Sequence, residues 1–298
     1  MKAPAFSYAR PKHLADVLAL LEKHGDEARL LAGGQTLLAT LNMRLSEPAL
    51  LIDLQSVQEL KGLVVAGDCL RIGAMVTHSE IEASPLVARH APLLARAAPH
   101  IAHRAIRNLG TFGGSMAYGD PAAEWPACML ALDGTVIARS SQGERRIAAV
   151  DFFTGLYTTA LAVNEVIVAC EVPLAGATHR FAFDELVRRH GDYAVVGLAA
   201  SAQCNDGVLD QVRLAWIGVG SMPMRSTATE RVVQGQRLSP SLMVEAQKAL
   251  RSELQPEADL THSVESKRHL AAVLLKRLLT TLHQATPPSL SDRHAPVA

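Results

Sequence analysis

The sequence predicts an α+β protein laid out as three successive segments, and three observations predict it. Helical apolar periodicity alternates with short apolar strands over the first fifty or so residues. Through the middle of the chain, glycine, aspartate and proline turn signals separate short strands. Towards the C-terminus one long hairpin is followed by two amphipathic helices. A chain of 298 residues is also long for a single core.

In the first segment, residues 1–53, Leu14, Val17, Leu18 and Leu21 recur at helical spacing and predict a helix over 13–24. Arg29 to Leu31 reads as a short buried strand, Thr36 to Leu45 as a helix, and Leu50-Leu51-Ile52-Asp53 as another apolar strand. Such alternation implies a small parallel unit.

The second segment covers 54–175. Leu63 to Ala66 and Leu70 to Ile72 flank Gly67-Asp68, a hairpin signal. Thr77-His78-Ser79-Glu80 fits a capping box, and Leu86 to Ala97 reads as helical. Asp120-Pro121 predicts a helix start, with Asp at N-cap and Pro at N1, running to Asp133-Gly134. Strands are expected at 135–139, 146–148 and 166–172.

The third segment covers 176–285. Val195 to Cys204 and Val208 to Val219 surround Asn205-Asp206-Gly207, a strong turn signal. Helices are expected at 239–254 and 264–283, the latter with Leu270, Val273, Leu274 and Leu278 on one stripe. The tail, 286–298, holds Pro287, Pro288 and Pro296 and is expected to be disordered.

Composition narrows the function classes. Lys+Arg and Asp+Glu balance at 29 each, so no electrostatic footprint for nucleic acid or an anionic membrane exists. No stretch approaches the length of a membrane span, and the start lacks the apolar core of a signal peptide, which predicts a cytoplasmic protein. Cys69, Cys128, Cys170 and Cys204 are dispersed, wrong for zinc or iron–sulfur ligation, so no metal site is expected. The 12 histidines form no ligand pair. Trp125 and Trp216 are expected in the core.

Two glycine pairs carry the functional signal. Ala32-Gly33-Gly34-Gln35-Thr36 follows the apolar Leu30-Leu31, and Gly110-Thr111-Phe112-Gly113-Gly114-Ser115 lies in the second segment. Glycine permits positive φ and close backbone approach, and runs of N–H groups form anion nests. Neither loop holds a Walker lysine or a dinucleotide fingerprint. Two such loops suggest a diphosphate gripped from two sides by neutral donors; two tight turns are the plainer reading of each loop alone. Arg29 could meet a phosphate or cap a strand end. Asp120 and Glu124 could cap a helix or face a ligand, and Arg188 to Tyr193 form a polar cluster. Two other classes compete. Gly113-Gly114-Ser115-Met116-Ala117 approaches the nucleophile elbow of a serine hydrolase with Ser115, though the strand–turn–helix context is missing. A cofactor-free scaffold subunit is the other.

From Phe6 to about His283 the chain resembles the FAD-binding medium subunits of the molybdenum hydroxylases, the carbon-monoxide dehydrogenase and xanthine dehydrogenase superfamily. The resemblance rests on Leu31 to Leu37, Leu51-Ile52-Asp53-Leu54, Ile72 to His78, Ile106 to Ser115, Asp120 to Glu124, Leu161 to Pro173 and Gly191-Asp192-Tyr193, in that order. It implies a two-part FAD-binding domain of the non-Rossmann vanillyl-alcohol-oxidase/PCMH type, followed by a C-terminal α+β domain. By resemblance, residues 32–36 (Ala32, Gly33, Gly34, Gln35, Thr36) and 111–115 (Thr111, Gly113, Gly114 and Ser115 among them) would hold the diphosphate of a non-covalent FAD. Asp120, Glu124, Leu161 and Tyr193 would lie near the ribityl chain or isoalloxazine. Thr36 stands where Ser is commoner, Glu124 where Asp is, and Asn42 where a basic residue is usual. The resemblance further implies electron transfer inside a dimer of heterotrimers. Two 2Fe–2S clusters would sit on a small subunit and molybdopterin on a large one, with the substrate (carbon monoxide, an N-heterocycle or a purine) chosen on the large subunit.

Overall fold

The computed structural model, which describes residues 2–284, places three main sheets in succession along the chain; the proline-bearing tail lies outside the described residues. The first sheet contains β1 (Ser7–Ala9), β2 (Ala28–Leu31) and β3 (Leu50–Asp53), all parallel, in the order β1-β3-β2. All four residues of the central β3 are buried, as a parallel strand covered on both faces requires. Sequence patterning missed β1, because Ser7-Tyr8-Ala9 is short and mostly exposed. Helix α1 (Leu14–His24) buries its predicted stripe and stops at Gly25, whose φ is 49°. Helix α2 (Leu37–Asn42) is shorter than the predicted 36–45. Arg44 turns to φ 57° and the Leu45 N–H closes back on the Thr40 carbonyl, a helix-ending turn that needs no glycine here.

The central unit begins with the β4 (Leu63–Ala66) and β5 (Cys69–Gly73) hairpin, turned at Gly67 with φ 62°. Helix α3 (His78–Ala83) carries the predicted capping box: the Thr77 hydroxyl accepts from the Glu80 N–H while the Glu80 carboxylate accepts from the Thr77 N–H. The single helix expected at 86–97 is two, α4 (Pro85–His90) and α5 (Pro92–Ala97), because Pro92 has no N–H to continue the first. Short α6 (Arg104–Arg107), α7 (Phe112–Tyr118) and α8 (Glu124–Ala131) follow. Next come β6 (Thr135–Ser140), β7 (Gly143–Ala148), α9 (Ala149–Phe152), the hairpin β8 (Phe153–Gly155) and β9 (Thr158–Thr159), and β10 (Val166–Pro173). The five-stranded antiparallel sheet runs β4-β5-β10-β6-β7. Ile137, Val166, Val168 and Ala169 on one of its faces join the core of α1 and β3, so the first unit rests on the second.

The C-terminal sheet runs β11 (His179–Leu186), β12 (Val196–Asn205), β13 (Val208–Ile217) and β14 (Met224–Arg225), with β15 (Gln236–Arg237) also pairing β13. The β12–β13 turn has positive φ at Asp206 (48°) and Gly207 (78°), as a type I′ hairpin requires. Helix α10 (Thr227–Val233) was not foreseen. Helices α11 (Pro240–Glu253) and α12 (Val264–Gln284) match the expected positions. The buried stripe of α12 is shifted to Ala271, Leu274, Leu275, Leu278, Leu279 and Leu282. Between the central and C-terminal sheets lies α8, buried on every side from Trp125 to Ala131. Both tryptophans are core residues, with indole N–H groups donating to the His78 Nδ1 and the Ser226 hydroxyl.

Candidate functional site

The two glycine loops, far apart in sequence, meet in space. A Cβ on Gly33 would come within 2.0 Å of the Leu109 carbonyl oxygen and 2.8 Å of the Gly110 Cα. One on Gly114 would lie 3.4 Å from the Ala32 Cβ. Close backbone approach therefore demands glycine at position 33. Positive φ does not: among the glycines of the two loops only Gly34 has it, at 71°.

The first loop is a row of free donors. Among the described residues, no chain acceptor receives the backbone N–H of Gly33, Gly34, Gln35 or Thr36. The Gln35 side-chain amide donates back to the Gly33 carbonyl at 3.0 Å and so helps to fix the loop. Consecutive unpaired amides entering a helix favour an anion.

The second loop corrects the expectation of bare amides on both sides. The Phe112 N–H donates to the Val76 carbonyl, the Gly113 N–H to Ala74 and the Ser115 N–H to Thr111. The Gly114 N–H donates to the Thr111 hydroxyl at 3.1 Å, the N-cap of α7. Its glycines serve packing: a Cβ on Gly113 would sit 2.5 Å from the Ala74 Cβ, and one on Gly110 2.6 Å from the His78 Nε2. What the loop leaves without a chain partner is the Thr111 N–H and the Ser115 hydroxyl. Ser115 lies inside α7, preceded by helix α6 instead of the strand an elbow requires. No histidine hydrogen-bonds it among the described residues.

His78, which sequence reasoning passed over as one member of a capping box, holds this loop up. Its N–H donates to the Gly110 carbonyl, and its ring is wedged between Gly110 and Trp125. Burial, then the Arg107 charge, depress its pKa to about 4, so the imidazole is neutral and accepts from the Trp125 indole.

The remaining predicted residues gather beyond α7. Asp120 does not cap a helix; its carboxylate accepts the Ala122 N–H at 2.8 Å, and α8 begins only at Glu124, after Ala123. The reason is that Pro121 and Ala122 close a turn on Asp120 before the helix starts. Tyr118 and Tyr157 face each other with ring centroids 5.1 Å apart, and Gly119 abuts Thr159, so the β8–β9 hairpin covers the end of α7. Leu161, partly buried, follows that hairpin. Tyr193 is 69% exposed, and burial on its inner side followed by the charge of Asp120 and the nearby Tyr118, Tyr157 and Glu124 raise its phenol. Asp120, Glu124, Tyr118, Tyr157 and Tyr193 thus lie within electrostatic reach of one another. Arg29 stands apart: its guanidinium donates to the Asp26 and Ala28 carbonyls, at the entry to β2.

Asp120 and Glu124 are held towards their neutral forms. Burial raises Asp120, against the opposing Ala122 hydrogen bond. Burial first, then Glu185, then Asp120 push Glu124 up to about 8. Glu185 was not a predicted site residue. Its one sequence signal is an acid at an inward position of a strand.

Residues 4–175 match the family model described as the FAD binding domain in molybdopterin dehydrogenase, and residues 181–282 match that of the CO dehydrogenase flavoprotein C-terminal domain. The chain belongs to the FAD-binding medium subunits of the molybdenum hydroxylases. This medium subunit is 40% identical to the nicotine 6-hydroxylase medium subunit of Paenarthrobacter nicotinovorans, over 94% of its own length and 98% of the relative. Its structure is similar to CO dehydrogenase from Hydrogenophaga pseudoflava, with a TM-score of 0.92, 34% identity and coverage of 95% and 98%. It is also similar to quinoline 2-oxidoreductase from Pseudomonas putida 86, with a TM-score of 0.90, 36% identity and coverage of 95% and 99%. The medium subunit is thus an oxidoreductase component with an FAD-binding domain. The chain fits that cofactor: four unpaired amides suit a diphosphate, and the facing loop adds one amide and one hydroxyl. Among the described residues no group of three or more metal-ligating side chains comes together, and no helix is long and apolar enough to cross a membrane.

Proposed function

We propose that this subunit holds a non-covalent FAD between its two glycine loops and uses it to pass electrons from partner clusters to an external acceptor. The observation that carries the reading is the row of unpaired N–H groups at Gly33, Gly34, Gln35 and Thr36, set against the Leu109–Gly110 backbone. Ala32 and these four residues would cradle the diphosphate from one side; Thr111, Gly113, Gly114 and Ser115 would bound it on the other. Asp120, Glu124, Leu161 and Tyr193 would line the ribityl chain and ring, with exposed Tyr193 free to lie along the ring face. FAD supplies the redox chemistry, while the chain binds, orients and shields it. In this reading the subunit works in a cytoplasmic dimer of heterotrimers, with 2Fe–2S clusters on a small subunit and molybdopterin on a large one. The units 1–53 and 54–175 would clasp the cofactor, and 176–285 would cover α8. Purifying the native complex, identifying its chains and recording its absorption spectrum tests this. A flavin spectrum with two co-purifying partner chains is expected; a colourless complex, or an active single chain, would overturn it.

A further inference from the structure

The C-terminal sheet ends on one side at β11, whose only strand partner among the described residues is β12. The Cys204 N–H donates to the Thr178 carbonyl, so the alternate residues Arg180, Ala182 and Asp184 turn their backbone groups to β12. His179, Phe181, Phe183 and Glu185 turn theirs to the open edge. The chain itself closes both ends of that edge. The His179 N–H donates to the Gly176 carbonyl at 3.2 Å, and the Arg180 guanidinium donates to the His179 carbonyl at 3.0 Å. The Glu185 N–H donates to the Asp184 carboxylate at 2.9 Å. Between these closures, the N–H and C=O groups of Phe181 and Phe183 have no partner among the described residues. A groove of about 750 Å³ runs over Phe183, between Arg96 of α5 and Lys276 and Arg277 of α12. Its two walls lie on opposite faces of the strand. Phe181 shares a core with Leu93 and Leu94 of α5, whereas Ala182 shares another with Leu274 and Leu278 of α12. Arg277 pairs with Asp184 at 3.4 Å. The side chains of Arg96 and Lys276 have no partner among the described residues.

We infer that this groove docks an extended, acidic segment of a partner subunit, which adds a strand to β11. Unpaired edge groups are a template for another chain, and proteins ordinarily cover or blunt such an edge. Main-chain bonds to Phe181 and Phe183 supply the affinity, as in other cases of strand addition, and the two unpartnered cations select for acids. Successive side chains of a strand point to opposite faces, so neighbouring acids of the guest reach Lys276 on one side and Arg96 on the other. Arg277 adds little to this attraction, because Asp184 already offsets it. The inference goes beyond flavin binding and rests only on the assembly with partner chains proposed above.

The test uses the native complex. A water-soluble carbodiimide, which joins amines directly to carboxyls, should link Lys276 to an Asp or Glu of a partner chain, read by mass spectrometry. Hydrogen exchange should find the Phe183 amide protected. In the double variant Arg96→Glu/Lys276→Glu, exchange at Phe183 should quicken about tenfold, and the concentration at which the partner dissociates should rise about tenfold, less at high salt. Lys248→Glu, an exposed charge reversal on α11 outside the groove, should change neither. If the double variant does not fold, the wild-type link and exchange decide alone. A freely exchanging Phe183 amide in the wild-type complex would overturn the inference. So would the lack of a Lys276 link to a partner chain, or a link instead to residues 285–298 of the same chain or to a second copy of it. A flavin-bearing complex with its partner chains but an unprotected Phe183 defeats the groove and leaves the assembly standing. A chain that co-purifies with no partner defeats the assembly itself.

Discussion

Gly33→Ala probes the contact on which the cradle depends. The added Cβ would stand 2.0 Å from the Leu109 carbonyl oxygen and 2.7 Å from its carbon, both backbone atoms that no rotamer can move. Relief to an ordinary contact of about 3.4 Å or more means separating the loops by over an ångström. Overpacking of this kind costs about 1–3 kcal/mol. If the strain is relieved by opening the loops, FAD affinity falls by about 5- to 150-fold, since 1.4 kcal/mol is tenfold. Gly67→Ala is the control: its Cβ meets nothing within 4 Å, and the turn lies in the β4–β5 hairpin. Any loss there comes from the positive φ and should reach stability without reaching FAD. Fluorescence titration of FAD into the deflavinated complex measures both. Affinity within twofold of wild type for Gly33→Ala would show that the loops do not form one cradle.

Three further outcomes are expected. Ser115→Ala should weaken FAD binding by about 1 kcal/mol, the net worth of one hydrogen bond, and leave electron transfer intact; complete inactivation with flavin retained would favour the hydrolase reading. Acid precipitation of the complex should release all flavin to the supernatant, and a yellow pellet would show a covalent link. The neutral His78 should make stability pH-dependent. Its folded value, about 4, lies below the unfolded 6.5, so the unfolded state binds the extra proton. Its contribution is fully present above pH 6.5 and falls away towards pH 4, by about 2 kcal/mol between pH 7 and 5. Urea midpoints of wild type and His78→Gln at both pH values check this; an equal drop in the two proteins would place the sensitivity elsewhere.

Much of the fold is legible because its elements declare themselves locally. The α1 stripe, the Thr77–Glu80 box, the Gly67 turn and the Asp206-Gly207 hairpin are all fixed by nearest neighbours in sequence. Elements that fail to declare themselves owe their existence to tertiary pairing. Ser7–Ala9 becomes a strand only because β3 offers it a parallel edge, and α7 forms from a glycine-rich stretch because Thr111 caps it and Ala74 packs on Gly113. The glycine pairs mark the site, but their spacing cannot say that one loop spends its amides on its own helix while the other keeps them free. Asp120 misleads for a similar reason, since Asp-Pro opens a turn as readily as a helix. Glu185 is invisible from local sequence, because only the fold buries its carboxyl group and leaves its Oε2 without a partner.

The most direct test of the cradle is backbone hydrogen exchange in the deflavinated complex, with and without FAD. The N–H groups of Gly33, Gly34, Gln35 and Thr36 have no chain acceptor, whereas those of residues 112–115 are already bonded. FAD should therefore protect 33–36 strongly and change 112–115 little. Protection confined to 112–115, or none at 33–36, would contradict the account.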